Sequence, residues 1–147
     1  MFRFLLLATL LPALALADFP FIPCPGVQPP ISFNIPECPG GPPCDFYIGQ
    51  QITLEIGFEA VGTVTEIPTT AEITLANGEV IDFELPTGDG CNAVLGGCPI
   101  DAGVHTVVFP LTIQGVPANE QVTITVTMSD QNGHAMACGS VIGEFGG

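Results

Sequence analysis

A regular alternation of apolar and polar residues constrains the fold of this chain more than any other feature. In the stretch 51–59 one face of an extended chain carries Ile52, Leu54, Ile56 and Phe58. Similar alternation runs through 71–85, 104–113 and 121–128. No segment has a convincing helical period, and a strand with one buried face and one wet face explains each stretch. The pattern predicts an all-β domain, a β-sandwich of two antiparallel sheets with about seven short strands.

Turn signals separate these alternating stretches. Asn77-Gly78 stands between two alternating runs and predicts a β-hairpin with a type I′ turn, in which both central residues have positive φ. The stretch 130–133 predicts another turn before a last strand. Pro110 interrupts the run 104–113, and because proline cannot donate to a ladder, we expect it at a sheet edge or a bulge.

Six cysteines add covalent constraints to the predicted strands. Cys91 and Cys98 are separated by six residues, two of them glycine, so a local disulfide is sterically easy and would staple a small loop between two strands. Cys38 and Cys44 flank a turn that is rich in proline and glycine. An even number of cysteines fits three disulfides in an exported protein, although spacing alone leaves their pairing open.

The first 17 residues have the features of a secretory signal peptide. Arg3 precedes an apolar run, and the segment ends in the small-x-small sequence Ala15-Leu16-Ala17. We therefore expect residues 1–17 to be a signal peptide and residues 18–147 to be one domain of a secreted, extracellular protein. The chain has no Asn-x-Ser or Asn-x-Thr triplet, so no N-linked glycan is expected. Because sorting that depends on such a glycan is then not available, a location in the lysosomal lumen is less expected than secretion.

Charge excludes several classes of partner. Arg3 is the only Lys or Arg, whereas all 15 Asp and Glu residues lie beyond residue 17. Nucleic-acid binding is excluded because its affinity comes from basic residues. For the same reason we expect weak or no docking on anionic membranes at neutral pH. The acidic side chains belong on solvated outer faces, where they favour a soluble monomer.

Catalytic and metal-binding signatures are lacking in the sequence. No nucleophile elbow, phosphate-binding loop or metalloprotease motif occurs. His105 and His134 are isolated, which argues against a metal site, and the neighbouring carboxylates Asp82 and Glu84 are expected to be a solvated pair. We therefore expect no enzyme, no metal and no cofactor.

The inward-facing apolar residues leave two functions open. Ten phenylalanines could fill the core, or they could line a cavity between the sheets, and the pattern alone does not decide between these arrangements. A hollow sandwich would bind a small apolar ligand. A filled one would be an extracellular adhesive or recognition module that binds through its surface. A third reading, innate-immune sensing of microbial lipids, shares the pocket, but anionic headgroups would lack basic partners.

The cysteine framework and its neighbouring motifs resemble the ML lipid-recognition family. The resemblance rests on Cys24, on Cys38 to Cys44, on Asp-Gly-Cys91 to Cys98-Pro-Ile, on Pro117 before an alternating strand, and on 129–133 before Cys138. It covers nearly the whole chain beyond the leader. Within the family, the sequence is most similar to the Niemann-Pick C type 2 sterol carriers and the group 2 mite allergens.

This resemblance implies an immunoglobulin-like sandwich with an apolar pocket between the sheets for a sterol, a fatty acid or a phospholipid tail. We therefore expect a secreted carrier for sterols, fatty acids or small apolar semiochemicals. It implies the disulfides Cys24–Cys138, Cys38–Cys44 and Cys91–Cys98. Phe83 falls where sterol-binding members have a pocket phenylalanine, and Ile113 and Val116 fall near the pocket mouth. With the inward-facing residues of the alternating strands, the predicted lining is Ile56, Phe58, Ile73, Ile81, Phe83, Phe109, Leu111, Ile113, Val116, Ile124 and Val126.

Overall fold

The computed structural model describes residues 20–83, 85 and 88–146, so the predicted leader at 1–17 lies outside the described residues. Nine strands and one short 3-10 helix, Gly90–Asn92, occur in the described ranges. In chain order the strands are β1 (Ile22–Pro23), β2 (Ser32–Asn34), β3 (Cys44–Tyr47), β4 (Gln51–Ala60), β5 (Thr69–Thr74), β6 (Val80–Phe83), β7 (Gly103–Thr112), β8 (Glu120–Ser129) and β9 (Ala135–Gly146). No helix within these ranges has the length and apolarity to cross a membrane.

The strands form two sheets, which confirms the predicted all-β sandwich. One sheet has the order β1-β9-β8-β5-β6, and β3 joins it by pairing in parallel with β9. The second sheet has the order β2-β4-β7, and its two strand pairs are antiparallel. The short strands β1 and β3 were not predicted from the alternation, and they account for the difference between nine strands and about seven.

The alternation of the sequence becomes burial on facing sides of the two sheets. In β8, in the second half of β7 and, apart from the buried Gly57, in β4, every second residue is buried and its neighbours are more exposed. The largest fully buried side chains include Phe33, Phe58, Phe109 and Phe145. Pro110 lies on β7, an edge strand of the three-stranded sheet, and pairs with Thr53 of β4, so the predicted edge position is confirmed.

The hairpin between β5 and β6 has a different turn from the predicted one. Gly78 has a φ of 92°, but Asn77 does not have positive φ, since Asn119 is the one non-glycine residue with positive φ in the described ranges. The Leu75 carbonyl accepts from Gly78 N, and Leu75 N donates to the Glu79 carbonyl at 2.8 Å. The type I′ turn is therefore wrong. A three-residue loop closes the hairpin, and only its glycine needs the left-handed conformation.

The three disulfides tie the ends and loops of the sandwich to the sheets. They join Cys24 with Cys138, Cys38 with Cys44, and Cys91 with Cys98. These are the pairs that the family resemblance implies. The loop closed by Cys91 and Cys98 follows β6 of one sheet and precedes β7 of the other, so it lies at a crossover between the sheets.

Two groups of hydrogen bonds hold this crossover loop in place. Asp89 Oδ1 accepts from the backbone N–H groups of Ile67 and Cys91, at 3.0 and 2.9 Å. Farther along, the Val108 N–H of β7 donates to the Ala93 carbonyl at 3.0 Å. The loop is thereby fixed to the segment just before β5 and to the middle of β7.

Candidate functional site

A cavity of about 860 Å³ opens where the edge strand β6 faces the residues that follow β7. On one side its wall is formed by residues of β5 and β6 and by Leu85 and Gly88, which follow β6. On the other side are Thr112, Gln114 and Gly115, at the end of β7 and just beyond it. The volume lies within the range of about 300–1,000 Å³ that is typical of small-molecule sites.

The inner wall of the cavity is apolar. Ala71 and Phe83 are directly paired across β5 and β6, and both side chains point toward the core because they occupy the inward positions of the alternation. Phe83 is 8% exposed. Leu85 is partly buried against the same core and also lines the cavity. An apolar ligand that enters here would contact an aromatic ring and aliphatic side chains that belong to the hydrophobic core or pack against it.

The rim of the cavity is polar and acidic. Glu72 and Asp82 occupy the outward positions next to Ala71 and Phe83, and the strand register places them directly opposite each other. Both are exposed. Thr112 and Gln114 contribute a hydroxyl and an amide from the other side. The site therefore combines an apolar interior with a rim whose ionisable side chains, among the described residues, are both carboxylates.

The predicted lining residues take three positions in the structure. Phe83 lines the cavity. Ile81 and Val116 are partly buried and pack against the core. The remaining eight are buried within the core itself, between the two sheets: Ile56, Phe58, Ile73, Phe109, Leu111, Ile113, Ile124 and Val126. A role in ligand contact for these other residues stays a prediction.

Several cavity residues were missed by reasoning from the sequence. Ala71 and Leu85 belong to the predicted alternating run, so their inward direction was already visible in the pattern. Thr112, Gln114 and Gly115 had no such signal. These residues line the cavity because the end of β7 in one sheet lies near the edge strand β6 of the other. Alternation within a strand does not predict how two sheets are positioned relative to each other.

The two histidines are held by local contacts. The His105 ring lies 6.0 Å from the Phe58 ring, and its Nε2 donates to the Asp101 carbonyl at 2.7 Å. His134 Nδ1 lies 3.6 Å from Asp130 Oδ2. The backbone N–H of His134 donates to Asp130 Oδ1 at 3.0 Å and lowers the pKa of that carboxyl below its ordinary value.

Metal-ligating side chains do not gather in the described ranges. These residues contain no group of three or more His, Cys, Asp or Glu side chains placed to hold an ion. Asp82 lies on the outer face at the cavity rim, whereas Glu84, its predicted companion, is outside the described residues. The arrangement suits the capture of an apolar molecule better than acid-base chemistry. The buried lining residues include Ala71 and Phe83, and the hydroxyl of the buried Thr69 already donates to the Ile67 carbonyl at 2.9 Å.

Comparison with known proteins identifies relatives of the whole domain. The model of the ML domain family matches residues 18–144. The chain is similar in structure to a Niemann-Pick type C2 protein from the Japanese carpenter ant, with a TM-score of 0.72 and 16% identity. That match covers 86% of this chain and 99% of the ant protein. At this identity the structural likeness shows the fold alone. Membership of the ML-domain family is shown by the family model, which matches residues 18–144.

A second solved structure has only a distant likeness to this chain. A family 123 glycoside hydrolase from Clostridium perfringens has a TM-score of 0.41 and 8% identity, over 69% of this chain and 22% of the hydrolase. A likeness of this size carries no inference about activity. No curated protein matches the sequence.

Proposed function

The chain belongs to the ML-domain family, whose members bind lipids and are not enzymes, and from this premise we propose that it is a secreted lipid carrier. Its ligand is a sterol, a fatty acid or another small apolar molecule, held between the two sheets without a cofactor. The protein acts as a monomer and performs no catalysis. The predicted signal peptide and the three disulfides support an extracellular location, because disulfides persist in oxidising compartments.

The observation that carries this proposal is the cavity of about 860 Å³ with Phe83 in its wall. Transfer of a hydrocarbon chain from water to an apolar wall contributes about 0.8 kcal/mol for each buried CH₂ group. A long apolar ligand therefore needs few polar contacts to bind tightly. The apolar wall at Ala71, Phe83 and Leu85 supplies such a surface, and the exposed rim lets a polar headgroup remain in water.

A substitution of Phe83 tests the placement of the ligand. We expect Phe83→Asp to weaken the uptake of a fluorescent sterol or fatty acid by at least about tenfold, because a carboxylate in the apolar wall opposes burial of hydrocarbon. Phe83→Leu keeps an apolar side chain and should retain most of the affinity. Phe33→Leu, at a buried position on β2 outside the cavity lining, is the matched control for a loss of core packing.

Folding and binding are measured together for each variant. Native mass spectrometry of the secreted protein identifies co-purified lipid, and thermal unfolding reports whether the sandwich is intact. If a folded Phe83→Asp protein bound the probes as tightly as the unchanged protein, ligand contact at Phe83 would be refuted.

A second candidate function is supported by the density of the core. Phe58, Ile73, Phe109 and Ile113 have no exposed surface, so the centre between the sheets is filled by the protein's own side chains. A filled sandwich suits an extracellular recognition or adhesive module that binds a partner through its surface. This alternative predicts that the secreted protein carries no lipid and takes up neither probe.

A further inference from the structure

We infer that the rim of the cavity selects lipids by headgroup charge, favouring uncharged and amine-bearing long-chain molecules over ionised carboxylates. This inference rests on the proposed function, since it concerns the headgroup of a ligand whose chain occupies the same cavity. It narrows the ligand class, because a fatty acid is an anion at neutral pH.

The first support is the position of the rim carboxylates relative to the apolar wall. Ala71 and Glu72 are consecutive in β5, and Asp82 and Phe83 are consecutive in β6. The register pairs Ala71 with Phe83 and Glu72 with Asp82. The two pairs lie on opposite faces of the sheet, but the cavity at the free edge of β6 is lined by both. A ligand chain on the inner pair can therefore extend its headgroup past this edge to the outer pair. Both carboxylates border the cavity, so they act on the same headgroup.

The second support is that no basic side chain lines the cavity among the residues that the structure describes. Arg3, the only Lys or Arg in the sequence, lies in the predicted leader. Neither histidine is among the described residues that line the cavity. His105 precedes Thr112 on β7 by seven residues, which is about 24 Å of extended strand. An anionic headgroup at this rim would meet two like charges and no basic partner.

The polar but uncharged rim groups do not change this preference. Thr112 and Gln114 supply a hydroxyl and an amide, which bind an alcohol or an ammonium group as readily as a carboxylate. The two carboxylates, in contrast, attract an ammonium group and repel a carboxylate. Since Glu72 and Asp82 are exposed, solvent weakens both effects. We therefore expect selectivity of moderate size that depends on salt.

A ligand series with one chain length isolates the headgroup. Hexadecylamine, hexadecanol and palmitate are titrated against a bound fluorescent probe at neutral pH and low ionic strength. We expect hexadecylamine to bind at least about tenfold more tightly than palmitate, with hexadecanol between them. Raising the ionic strength to about 0.5 M should reduce this ratio, because the Debye length shortens.

A second carboxylate pair elsewhere in the protein provides a matched control. Asp45 on β3 and Glu144 on β9 are also directly paired and exposed, and they lie outside the cavity lining. The double variants Glu72→Gln with Asp82→Asn and Asp45→Asn with Glu144→Gln each remove two negative charges. We expect only the rim variant to reduce the ratio of amine to palmitate affinity to about threefold or less. It should weaken hexadecylamine and strengthen palmitate, a pair of opposite changes that general destabilisation cannot produce.

The outcomes separate this inference from the proposed function. If hexadecanol binds and palmitate binds as tightly as hexadecylamine, the charge selectivity is refuted and the carrier function stands. The inference would also be refuted if the rim variant and the Asp45 and Glu144 variant reduced the ratio of amine to palmitate affinity equally. The net charge of the protein, and not the rim, would then cause the selectivity. If none of the three ligands binds to the folded protein, the proposed function fails together with the inference.

Discussion

Removal of the Cys24–Cys138 disulfide is the perturbation whose effect on stability follows most directly from the structure. This bond joins residues 114 positions apart and ties the segment around β1 to β9. The pairing between β1 and β9 covers only two residues on each strand. Two further backbone bonds flank it, from Cys24 N to the Cys138 carbonyl and from Cys138 N to the Gln28 carbonyl, at 3.3 and 3.0 Å.

The expected loss of stability follows from the loop that the disulfide closes in the unfolded chain. In the chain-entropy model, a separation of 114 residues corresponds to about 4.8 kcal/mol at 25 °C. The Cys91–Cys98 bond has a separation of 7, for which the same model gives about 2.4 kcal/mol. Each double alanine variant removes two sulfur atoms. Cys24→Ala with Cys138→Ala should therefore destabilise the protein by about 2.4 kcal/mol more than Cys91→Ala with Cys98→Ala.

Equilibrium unfolding in guanidinium chloride, under non-oxidising and non-reducing conditions, measures this difference. Each double variant is compared with the unchanged protein, and the free energy of unfolding is obtained by linear extrapolation. Burial of Cys138 adds a small packing loss to the first variant, in the same direction as the entropic term. Equal destabilisation by the two variants, or a larger effect of the short loop, would refute the argument from chain entropy.

Two further predictions concern the close packing at Gly90 and the carboxyl group of Asp130. Gly90→Ala should cost about 1–3 kcal/mol in thermal unfolding, because its Cβ would lie 2.9 Å from Ile67 Cγ2, whereas Gly88→Ala has open space and should leave stability nearly unchanged. The lowered pKa of Asp130 means that its carboxylate stabilises the folded state above the ordinary pKa of an aspartate, and that this contribution is lost as the pH falls through the lowered value. From about pH 6 to about pH 3, the melting temperature of Asp130→Asn should therefore fall less than that of the unchanged protein, and parallel curves would contradict this assignment.

The alternation of the sequence predicted the long strands well because burial enforces it directly. In β4 and β8 the buried positions follow the apolar residues of the sequence one by one. The pairing of β3 with β9 could not be predicted this way. β3 has four residues, begins at Cys44 and pairs with a strand almost 100 residues later, so local pattern says little about its partner. The turn at Asn77 was misread because a glycine with positive φ serves a three-residue loop as well as a two-residue one.

The same limit explains why the interior was harder to predict than the strands. Alternation predicts which side chains face inward, but it does not predict whether they contact one another or a ligand. Phe109 and Phe83 have the same pattern in the sequence, yet Phe109 is enclosed by protein and Phe83 borders a cavity. The difference is their position relative to the sheet edges. Phe109 lies within a ten-residue strand, whereas Phe83 is the last residue of a four-residue edge strand.

The end of β6 therefore brings the apolar wall and the acidic rim of the cavity together. Because β6 is the last strand of its sheet, it has a neighbouring strand on one side only, and its inward side chain Phe83 borders the cavity. The alternation that directs Phe83 inward also directs Asp82 outward, and the register adds Glu72 beside it. An apolar wall and an acidic rim thus arise from one pair of strands. A substitution that shifted the register of β6 by one residue would exchange the two faces and should abolish ligand uptake and charge selectivity together.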